Sequence, residues 1–212
     1  IQSGYTISSY GYFTLASAAP NNICSTVYEL GTTGVTILAS DILSTLSGTG
    51  LVSGSTLTTN GFNSPITISI IGDLLINTDF NLLNANIFMD QDVSILYQSV
   101  NGLEFNIIST HIQGCKAKDM WAGITIDGNY TNELNIYGGS VIEDAEVAIN
   151  SIGGGVFHLN KSILNKNNIG ILIGSYGSNH NGTIENGSEI KCSQHHSNFI
   201  PGVLRSPFFG LI

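Results

Sequence analysis

A parallel β-helix is the fold this sequence predicts, and three observations predict it. The first is a repeated phrase. Phe105-x-Ile107-x-x-Thr110-x-Ile112 recurs as Leu134-x-Ile136 followed by Ser140-x-Ile142, and again as Phe157-x-Leu159-x-x-Ser162-x-Leu164. Apolar and polar residues alternate within each copy, which is the strand period, so each reads as short strands joined by tight corners. The second is a small residue before isoleucine further along each copy, at Gly123-Ile124, Ala148-Ile149 and Gly170-Ile171. The third is the period. Starts at Phe80, Phe105, Leu134, Phe157 and Thr183 give spacings of 25, 29, 23 and 26 residues. A unit of that size is too short to be a domain and buries its apolar face only by stacking on the next, which makes a solenoid.

Taken in order, residues 1–63 read as an N-terminal cap with irregular first coils. Strand-like islands stand at Tyr5-Thr6-Ile7, Tyr12-Phe13-Thr14-Leu15, Val35-Thr36-Ile37-Leu38 and Leu57-Thr58-Thr59, separated by turn chemistry such as Pro20-Asn21-Asn22 and Gly48-Thr49-Gly50. Residues 41–46 predict one short helical turn with Ser40 or Asp41 as its N-cap. An open solenoid end exposes strand edges and core, so a cap is expected there. Residues 64–192 are the coils, beginning with Ile66-Thr67-Ile68-Ser69-Ile70. Unequal spacings place insertions at the corners: Gly138-Gly139 supplies one, and Lys116-Ala117-Lys118-Asp119 predicts a loop thrown out of the stack. Residues 193–212 break the rhythm and end on Phe208-Phe209-Gly210-Leu211-Ile212, which reads as an irregular segment leading into a further coil.

Composition narrows the function classes. Only 10% of residues are charged, while Asn, Ser and Thr make up about three in ten, so solubility rests on neutral polar groups, as in an extracellular β protein. Fifteen acids against six bases give a net charge of −9, which disfavours nucleic acid and anionic membrane surfaces as partners. No apolar run reaches the length of a membrane-spanning helix, so no membrane insertion is expected. The chain starts at Ile1 without a basic leader, which reads as a mature or excised polypeptide.

Cys24, Cys115 and Cys192 lie 91 and 77 residues apart and form no C-x-x-C pair, which excludes a zinc ribbon or a thioredoxin motif. Cys115 takes the corner slot held by Ala145 and Asn167 in the next two copies. It therefore reads as a small buried side chain, and three unpaired thiols are expected; one disulfide with one free thiol is the alternative.

Met120-Trp121-Ala122-Gly123-Ile124, then Ser140-x-Ile142-Glu143-Asp144-Ala145-x-x-Ala148-Ile149, then Phe157-x-Leu159-Asn160-x-Ser162-x-Leu164-x-x-Asn167-x-x-Gly170-Ile171 carry a resemblance. This pattern, extending over residues 66–192, resembles the right-handed parallel β-helix domains of large secreted and cell-surface proteins of Bacteroidetes, often exported by the type IX pathway. The resemblance implies a right-handed coil, a secreted or cell-surface location, an adhesin-like role and contact with export machinery. Such proteins usually carry a C-terminal sorting domain, which these residues do not include.

Parallel β-helices also host pectin hydrolases and polysaccharide lyases, so catalysis has to be weighed. Asn77-Thr78-Asp79 is similar to the first element of the polygalacturonase pattern, but the Asp-Asp, Gly-His-Gly and Arg-Ile-Lys elements have no counterpart, and the tripeptide reads as corner chemistry. A lyase needs a base, a cation and acids on one face. Arg205 is the sole arginine and Lys116, Lys118, Lys161, Lys166 and Lys191 fall at different corners, so no register gathers such a set. No catalytic residue is expected. The acids Glu143, Asp144 and Glu146 are the candidate metal ligands, suited to Ca²⁺ if neighbouring coils complete the shell; otherwise they form a solvated corner and no cofactor is held. Cys192, His195 and His196 are too few for a firm metal site, and Gly153-Gly154-Gly155 lacks the Asp of a Ca²⁺-binding nonapeptide, so it is a turn. The N-x-[ST] triplets at Asn129, Asn160, Asn181 and Asn186 follow from composition. Trp121, Tyr130 and Tyr137 are the candidate carbohydrate-binding side chains, each an apolar ring with a polar handle, although Trp121 suits packing at the mouth of a coil better than stacking on a sugar. The function these readings favour is a non-catalytic surface module, an adhesin or rigid spacer meeting glycan or a cell-surface protein. A carbohydrate-active enzyme, or a degenerate relative of one, is the alternative.

Overall fold

Alternation along the sequence becomes three parallel sheets wound into a β-solenoid of about five turns in a computed structural model. The structure describes residues 28–58, 65–115, 120–174 and 182–191, preceded by two short strands, Thr6–Ile7 and Phe13–Thr14. Sheet I stacks Tyr28–Leu30, Ile66–Ile70, Ala85–Met89, His111–Gly114, Val141–Glu143, Ile163–Asn165 and Glu189–Lys191. Sheet II stacks Ile37–Leu38, Leu74–Ile76, Ser94–Tyr97, Trp121–Asp127, Ala145–Ile152 and Ile169–Ile173. Sheet III runs from the hairpin Val52–Ser53 and Thr56–Leu57 through Phe80–Leu83, Glu104–Ile108, Glu133–Tyr137 and Val156–Asn160 to Thr183–Glu185.

Register converts the repeated phrase into ladders. Leu82, Ile107, Ile136, Leu159 and Ile184 form one inward column of sheet III, and Ile124, Ile149 and Ile171 one of sheet II. The columns meet in one apolar core, completed by a stacked pair, Phe80 and Phe105, with ring centroids 5.8 Å apart. The last copy is out of step with the sequence reading. Thr183 pairs with His158, not with Phe157, so the equivalent of Phe157 is Gly182 and the inward residue is Ile184. Asn186-Gly187 lengthens that corner as Gly138-Gly139 lengthens the one two coils earlier, and the insertion hid the true phase.

Corners between sheets III and I turn on left-handed residues: Asn84, Ser109 and Lys161 at φ 52, 47 and 52°, or the pair Gly138 and Gly139. Asn84 is followed by Ala85, and the other three corners are followed by a hydroxyl that faces inward. Thr110, Ser140 and Ser162 are buried, and each hydroxyl lies within hydrogen-bond distance of a carbonyl of the coil before, Leu82 O at 3.3 Å, Ile107 O at 3.0 Å and Ile136 O at 2.9 Å, and of one in its own corner, Ile108 O at 2.8 Å, Tyr137 O at 2.7 Å and Asn160 O at 3.1 Å. These hydroxyls satisfy backbone groups that a sharp bend takes out of the ladders. Asn167 does the same between sheets I and II. Its Oδ1 accepts from Ala145 N at 2.9 Å and its Nδ2 donates to Ile142 O at 3.0 Å.

At the N-terminal end, Thr6–Ile7, Phe13–Thr14 and Tyr28–Leu30 form an antiparallel meander on the edge of sheet I. The helix Ala39–Thr45 buries Ala39, Ile42 and, just beyond it, Leu46 over the core. Neither Ser40 nor Asp41 caps it: the N-cap is Leu38, without a side-chain bond. The capping amide comes from the next coil, where Asn77 Oδ1 accepts from Ser40 N at 3.0 Å and Nδ2 donates to Ser40 Oγ at 2.7 Å.

Cys115 is buried and disulfide-bonded, which corrects the expectation of three unpaired thiols. Cys24 and Cys192 both lie outside the described residues. Separation along the chain misleads here, because a solenoid stacks corners that the sequence keeps far apart. The predicted loop at 116–119, the irregular segment 193–212 and the Cys192, His195 and His196 group also lie outside the described residues.

Candidate functional site

The outer face of sheet III carries one polar column, Thr56, Asn81, Asn106, Asn135, His158 and Thr183, running across successive coils. Strand alternation places it: each follows or precedes an inward residue such as Phe105, Leu134 or Phe157. The upper part is a chain of hydrogen bonds. Asn106 Nδ2 donates to Asn81 Oδ1 at 2.7 Å, and Asn81 Nδ2 donates to Ser55 Oγ at 2.9 Å and Thr56 Oγ1 at 3.2 Å. The lower end closes with His158 Nδ1 and Thr183 Oγ1 at 2.8 Å. Between them the chain breaks. The half-buried Asn135 amide bonds to no described residue, although Asn106 and His158 are its neighbours in register. A shallow depression of about 450 Å³ lies at the break, lined by Asn106, Asn135, Tyr137, Gly138, His158 and Asn160. Tyr137, 36% exposed, stands in the adjacent outward column between Ile108 and Asn160.

A second cluster lies on sheet I. Glu143 is 8% exposed, and its carboxylate takes 2.7 Å from Asn165 Nδ2, 3.2 Å from Lys166 Nζ and 3.2 Å from His111 Nε2. This corrects the expectation that no register gathers acid, base and cation, because three adjacent coils bring His111, Glu143 and Lys166 together. They sit diagonally, not in one slot of the repeat, so aligned copies do not display them. Burial alone would raise the Glu143 carboxyl; the Asn165 amide, Lys166 and His111 outweigh it and hold the group below its ordinary value. A general acid needs the opposite shift. The cluster therefore ties three coils together with a carboxylate kept ionised.

Other sequence candidates are spent on structure. Asn77 caps the helix, and Asp79 Oδ1 accepts from Glu104 N at 3.0 Å in the next coil. Trp121 is fully buried and its indole N–H donates to Glu143 O at 2.8 Å, so it packs within the coil, as one of its two sequence readings expects, and has no face to offer a sugar. Tyr130 is half-buried on the turn after Trp121–Asp127, away from the residues lining the depression, and of the three aromatic candidates Tyr137 alone lines it. Among the described residues no three His, Cys, Asp or Glu side chains converge as metal ligands, so Glu143, Asp144 and Glu146 are not gathered around a common point. Asp144 turns the corner in the left-handed region at φ 59°, while Glu143 points into its network with Asn165 and Lys166.

Asn106, Asn135, His158 and Asn160, which line the depression, are not among the candidates the sequence offered. The signal was present: Asn106, Asn135 and His158 occupy the same slot, one residue after the first apolar residue of each copy. No helix among the described residues is long and apolar enough to cross a membrane. The fold defines the chain as a parallel β-solenoid. Comparison with protein-family models, with curated proteins and with solved structures finds no match.

Proposed function

We propose that this chain is a non-catalytic β-solenoid module of a secreted or cell-surface protein, acting as an adhesin-like element or rigid spacer. The observation that carries the reading is how the chemically capable side chains are used. Asn77, Asp79, His111, Glu143 and Lys166 are each bonded across coils, where they hold the stack together. The disulfide at Cys115 supports an oxidising, extracytoplasmic location. The kinship with type IX-exported Bacteroidetes proteins rests on the sequence resemblance and belongs to the same proposal. About five coils at ~4.8 Å make a stiff body about 24 Å long before its caps, suited to holding a neighbouring domain away from a surface.

The convergence of His111, Glu143 and Lys166 is the specific observation behind the competing reading, a carbohydrate-active enzyme. Incubation with polygalacturonate and with neutral polysaccharides, followed by reducing-end and unsaturated-uronate absorbance assays, decides between them. No turnover is expected. Turnover lost in Glu143→Gln or Asp79→Asn overturns the non-catalytic reading.

A further inference from the structure

We propose that the break in the polar column of sheet III is a binding site for a neutral oligosaccharide, held by Asn106, Asn135, Tyr137, His158 and Asn160. The inference rests on the reading of the chain as a non-catalytic binding module and names the site and ligand class. Four arguments lead to it. Above the break, side-chain amides are consumed by one another; Asn106 donates to Asn81 and Asn81 to Ser55 and Thr56. At the break, Asn135 keeps its donor and acceptor edges, Asn106 keeps its carbonyl side, and His158 keeps its Nε2 edge, since Nδ1 is engaged by Thr183. That is an alternation of neutral donors and acceptors within one shallow depression, matched to vicinal hydroxyls, each of which both donates and accepts.

The second argument is the apolar partner. Tyr137 lines the depression beside the amides, at the end of a column that continues through Ile108 and Leu83 in the coils before, so a sugar ring's polar edge meets the amides and its apolar face meets the Tyr137 ring. The third concerns peptides. The strand Glu133–Tyr137 is paired on both sides, with Glu104–Ile108 and Val156–Asn160, so no backbone edge is open to an added strand and recognition has to use side chains. The fourth is charge. Glu104, Glu133 and Glu185 stand on the same sheet and the chain carries −9, which opposes uronates and other anionic glycans; against them stands exposed Lys161, at the corner after Asn160.

The test is isothermal titration of the intact chain with cellotetraose, xylotetraose and mannotetraose, and with trigalacturonate as the anionic probe. At least one neutral probe is expected to bind, with affinity unchanged between low and high salt because no full charge takes part. Asn135→Ala and Tyr137→Ala should each weaken that binding by about tenfold or more, and His158→Ala should weaken it too. Asn135 bonds to no described residue, so its replacement removes no internal hydrogen bond, and a thermal melt unchanged from wild type separates a lost contact from a lost fold. Thr125→Ala, on the outer face of sheet II, is expected to bind as wild type. Binding of none of the neutral probes, tighter binding of trigalacturonate, or neutral binding that survives Asn135→Ala and Tyr137→Ala overturns the site while leaving the non-catalytic reading standing. Turnover of a bound probe overturns that reading instead.

Discussion

At Glu143, burial and hydrogen bonding pull one carboxyl in opposite directions, and hydrogen bonding prevails. Its folded-state value lies below the unfolded one, so the group contributes stability that is complete above the unfolded value of about 4.3 and is lost as pH falls through the folded value. Glu143→Gln should therefore lower the melting temperature most at pH 7, where the contribution is complete, and flatten the acid limb, so that the variant and wild-type profiles converge as pH falls below about 4.5. An acid limb identical to wild type would mean that the carboxylate network seen here does not hold the coils. Asn167 gives the neutral counterpart. Asn167→Leu leaves Ala145 N and Ile142 O without partners at a half-buried corner and is expected to cost about 1–3 kcal/mol by thermal melting. The Asn167 role was legible because the residue sits at a corner, where the repeat leaves polar backbone groups over. The Glu143 network was not, because its members come from three coils and meet on a diagonal. For Trp121 the sequence offered both packing and a sugar platform, because the repeat shows that a residue lies in a strand, but only the register shows which way a ring at its start points.

Strands here differ little from coil to coil, and the corners absorb the differences. Ser109 and Lys161 each turn the corner between sheets III and I with one left-handed residue, where Gly138 and Gly139 use two. Deleting Gly139 should give the fourth coil the corner its neighbours already have, so the variant is expected to melt cooperatively with a stability change below about 1 kcal/mol. Deleting Ser109 removes the only left-handed residue of its corner, and a soluble cooperative protein is not expected. If both deletions behave alike, these corners are not the hinges of the coil. Gly123 is the stricter case. Between Gly123 and Ile124 the pairing skips Ala148 as a bulge, φ is 108°, and a Cβ would overlap the carbonyl oxygen of Val147. The sequence displayed this as a small residue before isoleucine, without revealing that in one copy the small residue is the bulge and in the one before it the residue facing that bulge. The helix Ala39–Thr45 was legible as a helix, yet its cap was sought in its own residues and is supplied by Asn77 from the next coil. Local rules end where stacking begins.

A solenoid is nearly one-dimensional, so the effect of a core substitution depends on how many coils it divides. Ile136 is fully buried between Ile107 and Leu159, with further coils on both sides. Ile184 occupies the same inward column in the last described coil and is 48% exposed, because no described strand stacks beyond Thr183–Glu185. Ile136→Asp therefore places an unpaired charge inside the stack, where desolvation costs several kcal/mol, and separates the coils above from the coils below. It is expected to abolish the cooperative melt followed by circular dichroism. Ile184→Asp can turn its carboxylate to solvent at the end of the column and should cost no more than about 1–2 kcal/mol. The repeat places Ile136 in a strand copy, but it starts the last copy at Thr183 where the structure has Gly182, so the inward role of Ile184 follows only from the register. The prediction turns on the pair. Ile136→Asp melting near the wild-type temperature would mean that the columns are not a continuous core. Equal loss from both substitutions would mean that the coils fold as one indivisible unit and that the end of the column is not open as drawn here.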